Sequence, residues 1–415
     1  MAGFDPEAQL ESLEPIGWRL GLERMHKLCA LLGMPQHRFA SIHVVGTNGK
    51  SSVTRMTAAL LEAHGVSTGA CVSPHPSRWS ERVLIRGVEI GAPEFAAAVE
   101  RAAEAAATVD RTLAPGESVT QFELATAAAF VAFVAAGVEA AVIEAGLGGR
   151  LDATNTIPSQ VTALASVGLD HTRWLGESEL EIATEKLAVL RDSSTLVLGR
   201  VSAEVEALAE RTAAARGARM IRAPEDPGDG VHLRAPGCFQ RRNFALAATV
   251  AEAFLGRLDP ELVASVAATL TVPGRLEQLG ADPPLFVDVA HNPDGAAALA
   301  EALPAVTGGL SVTGCLAILE DKDARAMIAA LAPALEHAVC TEVPAPRPSQ
   351  PAAELAAACA AAGLAAEAEP DFATALRRAR ALAVGPPQAA LLVTGSHYVL
   401  GPVRAALAGE PLCEN

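Results

Sequence analysis

The chain has 415 residues, half of them apolar and 4% aromatic, and a formal charge of −16. That length supports two or three domains with cores built from Ala, Val and Leu, and the acidic balance argues against nucleic acid as a partner. No apolar run reaches the length of a membrane span and the first residues carry no basic or hydrophobic signal region, so no membrane partner and a cytoplasmic location are expected.

Residues 1–40 read as helical, because Leu20, Leu22, Met25, Leu28, Leu31 and Leu32 recur at three- and four-residue spacing. Gly21-Leu22-Glu23-Arg24 lies inside that pattern, and spacing alone puts Arg24 on a solvated face. The β-branched run Ser41–Val45 then enters Gly46-Thr47-Asn48-Gly49-Lys50-Ser51-Ser52, and Val53, Met56, Leu60 and Leu61 continue at helical spacing to Gly65. Strand, glycine loop, helix is the order of a phosphate-binding loop. Its backbone N–H groups converge on an anion, Lys50 adds a charge, and a hydroxyl of Ser51 or Ser52 can face Mg²⁺. The full G-x-x-x-x-G-K-[ST] spacing wants glycine at 44, where Val44 stands, so an ordinary strand-to-helix turn also fits.

A second short strand, Ala70–Val72, ends at Ser73-Pro74-His75-Pro76, since proline cannot continue a central strand. Trp79–Ile90 alternates as a strand with a turn at Gly87. One helix runs from Pro93 to about Thr108 and another from Thr120-Gln121-Phe122-Glu123 to Ala136. Thr120 and Glu123 fit a capping box, which accounts for Glu123 as well as a binding role does. The apolar run Ala140–Ile143 suits a buried parallel strand and ends in Glu144-Ala-Gly-Leu-Gly-Gly-Arg150. A carboxylate there, followed by three glycines, is hard to explain by packing. Val161–Val167 ends in Gly168-Leu169-Asp170-His171, and a helix Glu179–Leu190 carries Glu185-Lys186, a lysine that position alone assigns to the surface. Four strands thus end in Gly49–Ser51, Ser73, Glu144 and His171. In an open α/β sheet ligands bind outside the carboxyl ends of the strands, so these groups can meet on one rim with oxygen ligands suited to Mg²⁺.

A strand Thr195–Leu198 and helices, among them Phe244–Phe254 opened by Cys238–Asn243, lead to Leu270-Thr-Val-Pro-Gly-Arg275. The domain boundary is expected there, giving domains 1–270 and 271–415. The second region again alternates, with strands near Leu285–Val289, Leu310–Leu319, Ala338–Glu342 and Ala389–Thr394. Polar clusters follow three of them: Asp288–Pro293, Glu320–Asp323 and Thr394–Tyr398. The expected class is α/β: a P-loop-type, mostly parallel sheet in the N-terminal domain, and a smaller Rossmann-like α/β C-terminal domain. The cysteines Cys29, Cys71, Cys238, Cys315, Cys340, Cys359 and Cys413 form no C-x-x-C pair and read as small buried hydrophobes.

These motifs, in this order, resemble the Mur-ligase superfamily and, within it, the folylpolyglutamate synthase/dihydrofolate synthase family, over nearly the whole chain. The resemblance rests on HVVGTNGKSS (43–52), SPH…ER (73–82), TQFELATAAAF (120–130), EAGLGGRLDATN (144–155), GLDHTRWLG (168–176), EK (185–186), Q-x-x-N (240–243), PGRLE (273–277), DVAHNP (288–293), EDKD (320–323) and TGSHYVLGPVR (394–404). It implies an ATP-dependent ligase that joins the amino group of L-glutamate to a carboxylate on a pterin. The carboxylate is phosphorylated and the amine attacks the acyl phosphate, chemistry that depends on alignment and charge neutralisation.

Carried onto this sequence, the resemblance implies that Asn48, Gly49, Lys50, Ser51 and Ser52 hold ATP phosphates. Ser73 and Glu144 ligate one Mg²⁺ and His171 the second, toward which Lys186, carried as a carbamate, presents an oxygen. Asn243, Arg275 and Asp288 match ATP-contacting positions. His291, with Lys322, lines the cleft between the domains, whose closure brings the reactants together. Lys186, His171 and His291 are the catalytic set. Gly21, Leu22, Glu23 and Arg24, Thr120, Gln121, Phe122 and Glu123, and Leu151, Asp152 and Ala153 match the pterin-binding segments. The partners implied are small molecules only (L-glutamate and dihydropteroate or folate), and a monomer is expected.

The chain departs from the family wording at Gly-Lys-Ser-Ser for Gly-Lys-Gly-Ser, Glu-Lys-Leu-Ala-Val for Glu-Lys-Ala-Gly-Ile and Asp-Val-Ala-His for Asp-Gly-Ala-His. Gln121 stands where an aromatic is common, which removes a stacking surface. Another Mur-type ligase acting on a different carboxylate is the alternative, although no UDP-binding segment precedes residue 41. A non-catalytic nucleotide-binding module is the other, and the second-metal residues argue against it.

Overall fold

The computed structural model describes residues 4–13, 21–345, 347–384 and 389–409; Leu20 and Cys413 lie outside the described residues. The chain forms two compact units, Met1–His232 with Arg241–Leu270, and Leu233–Gln240 with Thr271–Asn415. The boundary expected at 270 did not anticipate that the stretch 233–240 belongs to the second unit.

In the first unit the helices are α1 (Pro6–Glu11), α2 (Glu23–Leu31), α3 (Lys50–Ala63), α4 (Ala92–Asp110), α5 (Gln121–Ala135), α6 (Thr172–Leu175), α7 (Glu179–Leu187) and α8 (Ala203–Ala215). The strands are β1 (Ala40–Val45), β2 (Thr68–Cys71), β3 (Val83–Ile85), β4 (Val88–Glu89), β5 (Ala140–Glu144), β6 (Val161–Leu164), β7 (Thr195–Leu198) and β8 (Arg219–Arg222). They form one sheet in the order β4-β3-β2-β5-β1-β6-β7-β8. From β2 to β8 all neighbours are parallel, and the β3–β4 hairpin is antiparallel at the edge. The register matters most for function. Cys71 pairs with Ile143, Val44 with Glu144 and Val45 with Leu164, so β2, β5, β1 and β6 finish level with one another. Consecutive strands leave β1 in opposite directions across the sheet, which opens a crevice at its carboxyl end.

The core explains why α5 is apolar on every face. Leu124, Ala127, Phe130 and Phe133 are buried against Ala141 and Ile143 of β5 on one side and α4 on the other. Phe39, Phe130 and Phe133 form an aromatic cluster with ring centroids 6.0 and 5.7 Å from Phe39.

The second unit holds β9 (Glu277–Ala281), β10 (Pro284–Val287), β11 (Val312–Ala317), β12 (His337–Thr341), β13 (Ala365–Ala368) and β14 (Ala390–Thr394). Their order is β13-β12-β11-β14-β10-β9, parallel except for β9. Aliphatic clusters cover both faces, as a parallel sheet requires.

Several boundaries differ from the sequence reading. Residues 1–40 are not one helix: α1 and α2 are separate, and a 3-10 turn Pro35–His37 follows. Trp79–Arg82 is a 3-10 turn rather than strand, β6 stops at Leu164 because the following residues tie into the phosphate-type loop, and α7 stops at Leu187. The cysteines behave as expected. Cys29, Cys71, Cys315, Cys340 and Cys359 are buried free thiols and Cys238 is half-buried.

The Phe133→Ala variant should lose about 3–5 kcal/mol of stability, because a fully buried ring would leave a cavity against β2 and Phe39. Urea denaturation monitored by far-UV circular dichroism measures this.

Candidate active site

The rim of the first sheet is assembled around one buried carboxylate. Glu144 ends β5 with 2% exposure. Its Oε1 accepts from Ser51 Oγ (2.9 Å) at the start of α3, and its Oε2 accepts from the backbone N–H of Ser73 (3.0 Å) just past β2. Three strand ends are thereby joined at one point. Ser51, Ser73 and Glu144 present hard oxygens, the donor chemistry that Mg²⁺ takes. Ser52 does not share in this: its hydroxyl is buried inside, so Ser51 is the member of the pair at the rim.

The loop between β1 and α3 has the conformation of an anion cradle. Gly49 caps α3 in the left-handed region (φ 84°) and, as a glycine, brings no side-chain cap of its own to the helix N-terminus. A Cβ on Gly49 would sit 2.6 Å from Asn243 Oδ1, so Asn243 packs directly on the loop. Lys50 Nζ donates to Thr47 O (3.0 Å), curling over the loop. Two residues that the sequence reading missed fix its other side. Ser166 Oγ accepts from Asn48 N (2.9 Å), and Thr47 Oγ1 accepts from Gly168 N (3.1 Å). Ser166 escaped notice because the sequence reading ran the strand on to Val167, whereas β6 stops at Leu164 and leaves Ser166 two residues past its end, as Ser73 is past β2.

Lys186 is not the surface lysine that its position suggested. It is 4% exposed, and its Nζ donates to Gly46 O (2.8 Å) at the foot of the same loop. Burial, reinforced by the nearby Lys50 charge, pushes its pKa down to about 7. The amine is therefore available as a neutral nucleophile near neutral pH.

His171 is exposed, adopts a left-handed backbone (φ 51°) and opens α6, with Nε2 3.9 Å from Asp170 Oδ1. Among the described residues no three His, Cys, Asp or Glu side chains gather into a ready-made metal cluster. The structure thus brings Ser73 and Glu144 together with Ser51, and does not place His171 in a cluster of that kind.

Of the substrate-segment residues, Arg24 is the clearest correction. Rather than lying on a solvated face, it is 8% exposed, and its Nε donates to both carboxylate oxygens of Glu123 (3.1 and 3.0 Å). Glu123 also completes a capping box with Thr120, accepting from Thr120 N (2.8 Å) while Thr120 Oγ1 accepts from Glu123 N. The cap and the ion pair use the same carboxylate. Leu22 caps α2, Gly21 precedes it, and Glu23 is exposed and pairs with Lys27 (2.8 Å). Gln121 Nε2 donates to Leu10 O (3.1 Å) of α1. Phe122 is buried.

Asp152 is buried with its carboxylate turned to its own loop, accepting from Leu147 N (2.8 Å), Thr154 N (3.0 Å) and Thr154 Oγ1. Burial raises its pKa against these hydrogen bonds. Thr154 Oγ1 in turn lies 2.8 Å from His43 Nε2 inside the sheet. Leu151 is exposed beside it and Ala153 is buried.

In the second unit, Asp288 follows β10 with 4% exposure. Its two oxygens accept from Leu276 N and Ala290 N (both 2.8 Å). Burial raises its pKa, and the Arg275 charge works the other way. His291 Nδ1 lies 3.0 Å from Val289 O, and its ring is 4.5 Å from that of His397. Lys322 lies in the turn after β11, half-buried. Among the described residues no helix is long and apolar enough to cross a membrane.

A parallel sheet with an anion-cradling loop and an acid at its rim, followed by a second parallel α/β unit, has the build of a Mur-type ligase. The Mur ligase, glutamate ligase domain, matches residues 274–397. A dihydrofolate synthase/folylpolyglutamate synthase of Mycobacterium tuberculosis is 34% identical over 364 residues, 79% of this chain and 75% of the relative. The folylpolyglutamate synthase structure from the same organism, complexed with ADP and AMPPCP, superposes with a TM-score of 0.88 at 31% identity, covering 99% of this chain and 100% of that one. A bifunctional folylpolyglutamate synthase/dihydrofolate synthase with Mn, AMPPNP and L-glutamate bound gives 0.84 at 30% identity over 97% of each chain. This chain belongs to the folylpolyglutamate synthase/dihydrofolate synthase family, and it is an ATP-dependent ligase of folate metabolism.

Two outcomes follow from the buried charges. Arg24→Met strands the Glu123 carboxylate in the core and should cost about 3–5 kcal/mol, read by chemical denaturation. Below pH 7 Lys186 is protonated in both the folded and unfolded chains, and burial costs its full penalty. As pH rises from about 7 toward the unfolded value of 10.5 that penalty is relieved. In CO₂-free buffer Lys186→Met should therefore stabilise the protein more at pH 6 than at pH 9, measured by parallel urea titrations.

Proposed function

We propose that this chain joins L-glutamate to dihydropteroate and adds further glutamates to (tetrahydro)folate. The observation that carries the reading is the convergence of Ser51, Ser73 and Glu144 at three level strand ends beside a glycine-capped helix N-terminus. Asn48 to Ser52 would hold the ATP phosphates, with Asn243 against the loop. In the first step a new carboxyl–phosphate bond forms as the bond to ADP breaks. In the second, the glutamate amine forms the amide, phosphate leaves, and the amine gives up its proton. Lys50 and the α3 N-terminus neutralise charge that develops on the transferring group.

Ser73 and Glu144 would hold one Mg²⁺, and His171 with Lys186 the second; when bound, these ions screen the phosphates and polarise the acyl oxygen. The lowered proton affinity of Lys186 supports the carbamate, because only a neutral amine adds to CO₂ and an ammonium would repel a cation. The buried Arg24–Glu123 pair, Thr120, Phe122 and the 151–153 segment form the pterin side of the reading. Arg275, Asp288, His291 and Lys322 represent the contribution of residues 271–415. The protein acts as a monomer in the cytoplasm.

Phosphate release from ATP should require L-glutamate together with dihydropteroate or tetrahydrofolate; release only with some other carboxylic acid would reject the folate assignment. Lys186→Ala should slow turnover sharply without rescue by bicarbonate. A ¹³C-bicarbonate NMR spectrum of the wild type should show a carbamate carbonyl that this variant lacks.

A further inference from the structure

The loop Gly146-Leu147-Gly148-Gly149 lies just past Glu144, and no local sequence pattern carries a packing reason for its glycines. The structure has one for each. A Cβ on Gly146 would lie 2.5 Å from the Phe122 ring, and one on Gly148 would lie 2.7 Å from Leu175 Cδ2. On Gly149 it would lie 2.7 Å from Glu185 O, 2.9 Å from Val189 Cγ1 and 3.0 Å from Lys186 O. Each neighbour belongs to a different functional segment. Phe122 opens α5, Leu175 closes the helix that starts after His171, and Glu185 and Lys186 form the end of α7.

The loop has little freedom to retreat from an added methyl group. Arg150 N donates to Glu185 O (3.0 Å), and Arg150 Nε donates to Glu185 Oε1 (3.0 Å). Behind it, Asn155 Nδ2 donates to Arg150 O (2.9 Å), and Arg191 Nη2 holds Asn155 O (2.6 Å) and Oδ1 (2.8 Å).

We propose that these glycines are positioning residues, each reserved for one neighbour, so that the backbone leaving Glu144 also sets Phe122, the His171 helix and Lys186. Gly149 has the sharpest consequence. Its opposing atoms are mostly backbone carbonyls, which cannot rotate aside as a side chain can. A methyl there moves the last turn of α7 and carries Lys186 away from Gly46 O. Gly146 acts instead through the Phe122 ring. The inference rests on the reading of Lys186 as the carbamate-bearing lysine and Phe122 as a substrate contact.

The test compares the full-length Gly149→Ala, Gly146→Ala, Arg150→Met and Lys186→Ala proteins. Gly149→Ala should lower kcat about 100-fold, leave KM for the pterin substrate within about twofold, and lose the ¹³C carbamate resonance. Arg150→Met breaks only a half-exposed pair, and should lower kcat alone by about two- to fivefold. Gly146→Ala should do the reverse, raising that KM by about three- to tenfold with kcat nearly unchanged. Equal shifts of kcat and KM in all three loop variants, or a Gly149→Ala protein with normal kcat and carbamate signal, overturn the proposal. Should Gly149→Ala fail to fold, an unchanged kcat in Arg150→Met overturns it. An active Lys186→Ala protein would defeat the underlying reading and the inference with it. An inactive Lys186→Ala beside a normal Gly149→Ala defeats the inference alone.

Discussion

A carboxylate buried at the end of a central strand is tolerable only if its environment replaces the water it has lost, and the first unit is organised to do that for Glu144. The Ser51 hydroxyl and the Ser73 amide each supply a hydrogen bond, and they come from the two other strand ends that the register places level with it. Each of the three segments therefore depends on the other two. Slipping β5 by one residue would turn Glu144 to the other face of the sheet, and slipping β1 or β2 would carry Ser51 or Ser73 out of its reach.

The same reasoning extends to the lysines under the loop. In a chain with a charge of −16, Lys50 and Lys186 sit close enough for one to depress the proton affinity of the other. Global charge repels an anionic substrate, so attraction must come from Lys50 and from the amides at the α3 N-terminus.

Much of this was legible in the sequence because chain order and polarity carry it. Strands followed by a polar residue and a glycine, proline or helix start mark the carboxyl edge of a parallel sheet, and that pattern picked out Lys50, Ser73 and Glu144, which the structure brings to one rim, and His171, which opens α6. Spacing and position alone put Arg24 and Lys186 at the surface, and both failed for a shared reason. Their burial is created by partners 99 and 140 residues away, Glu123 and Gly46, and no local periodicity encodes a long-range contact. The short strands β8, β9 and β13 were missed because local preference points elsewhere: Ala365–Ala368 is alanine-rich and forms a strand only because β12 offers it an edge. The glycines after Glu144 were attributed to chemistry when close packing explains them.

Gln121 shows how a single side chain can link the periphery of the chain to its chemistry. With its amide on the Leu10 carbonyl, and with Glu7 accepting from the backbone of Trp79 (3.1 and 3.2 Å), helix α1 is moored at two points to segments bordering the rim. Helix α1 is thus mechanically continuous with the start of α5. Removing this helix would disturb the neighbourhood of Phe122 and Glu123 from more than a hundred positions away in the chain.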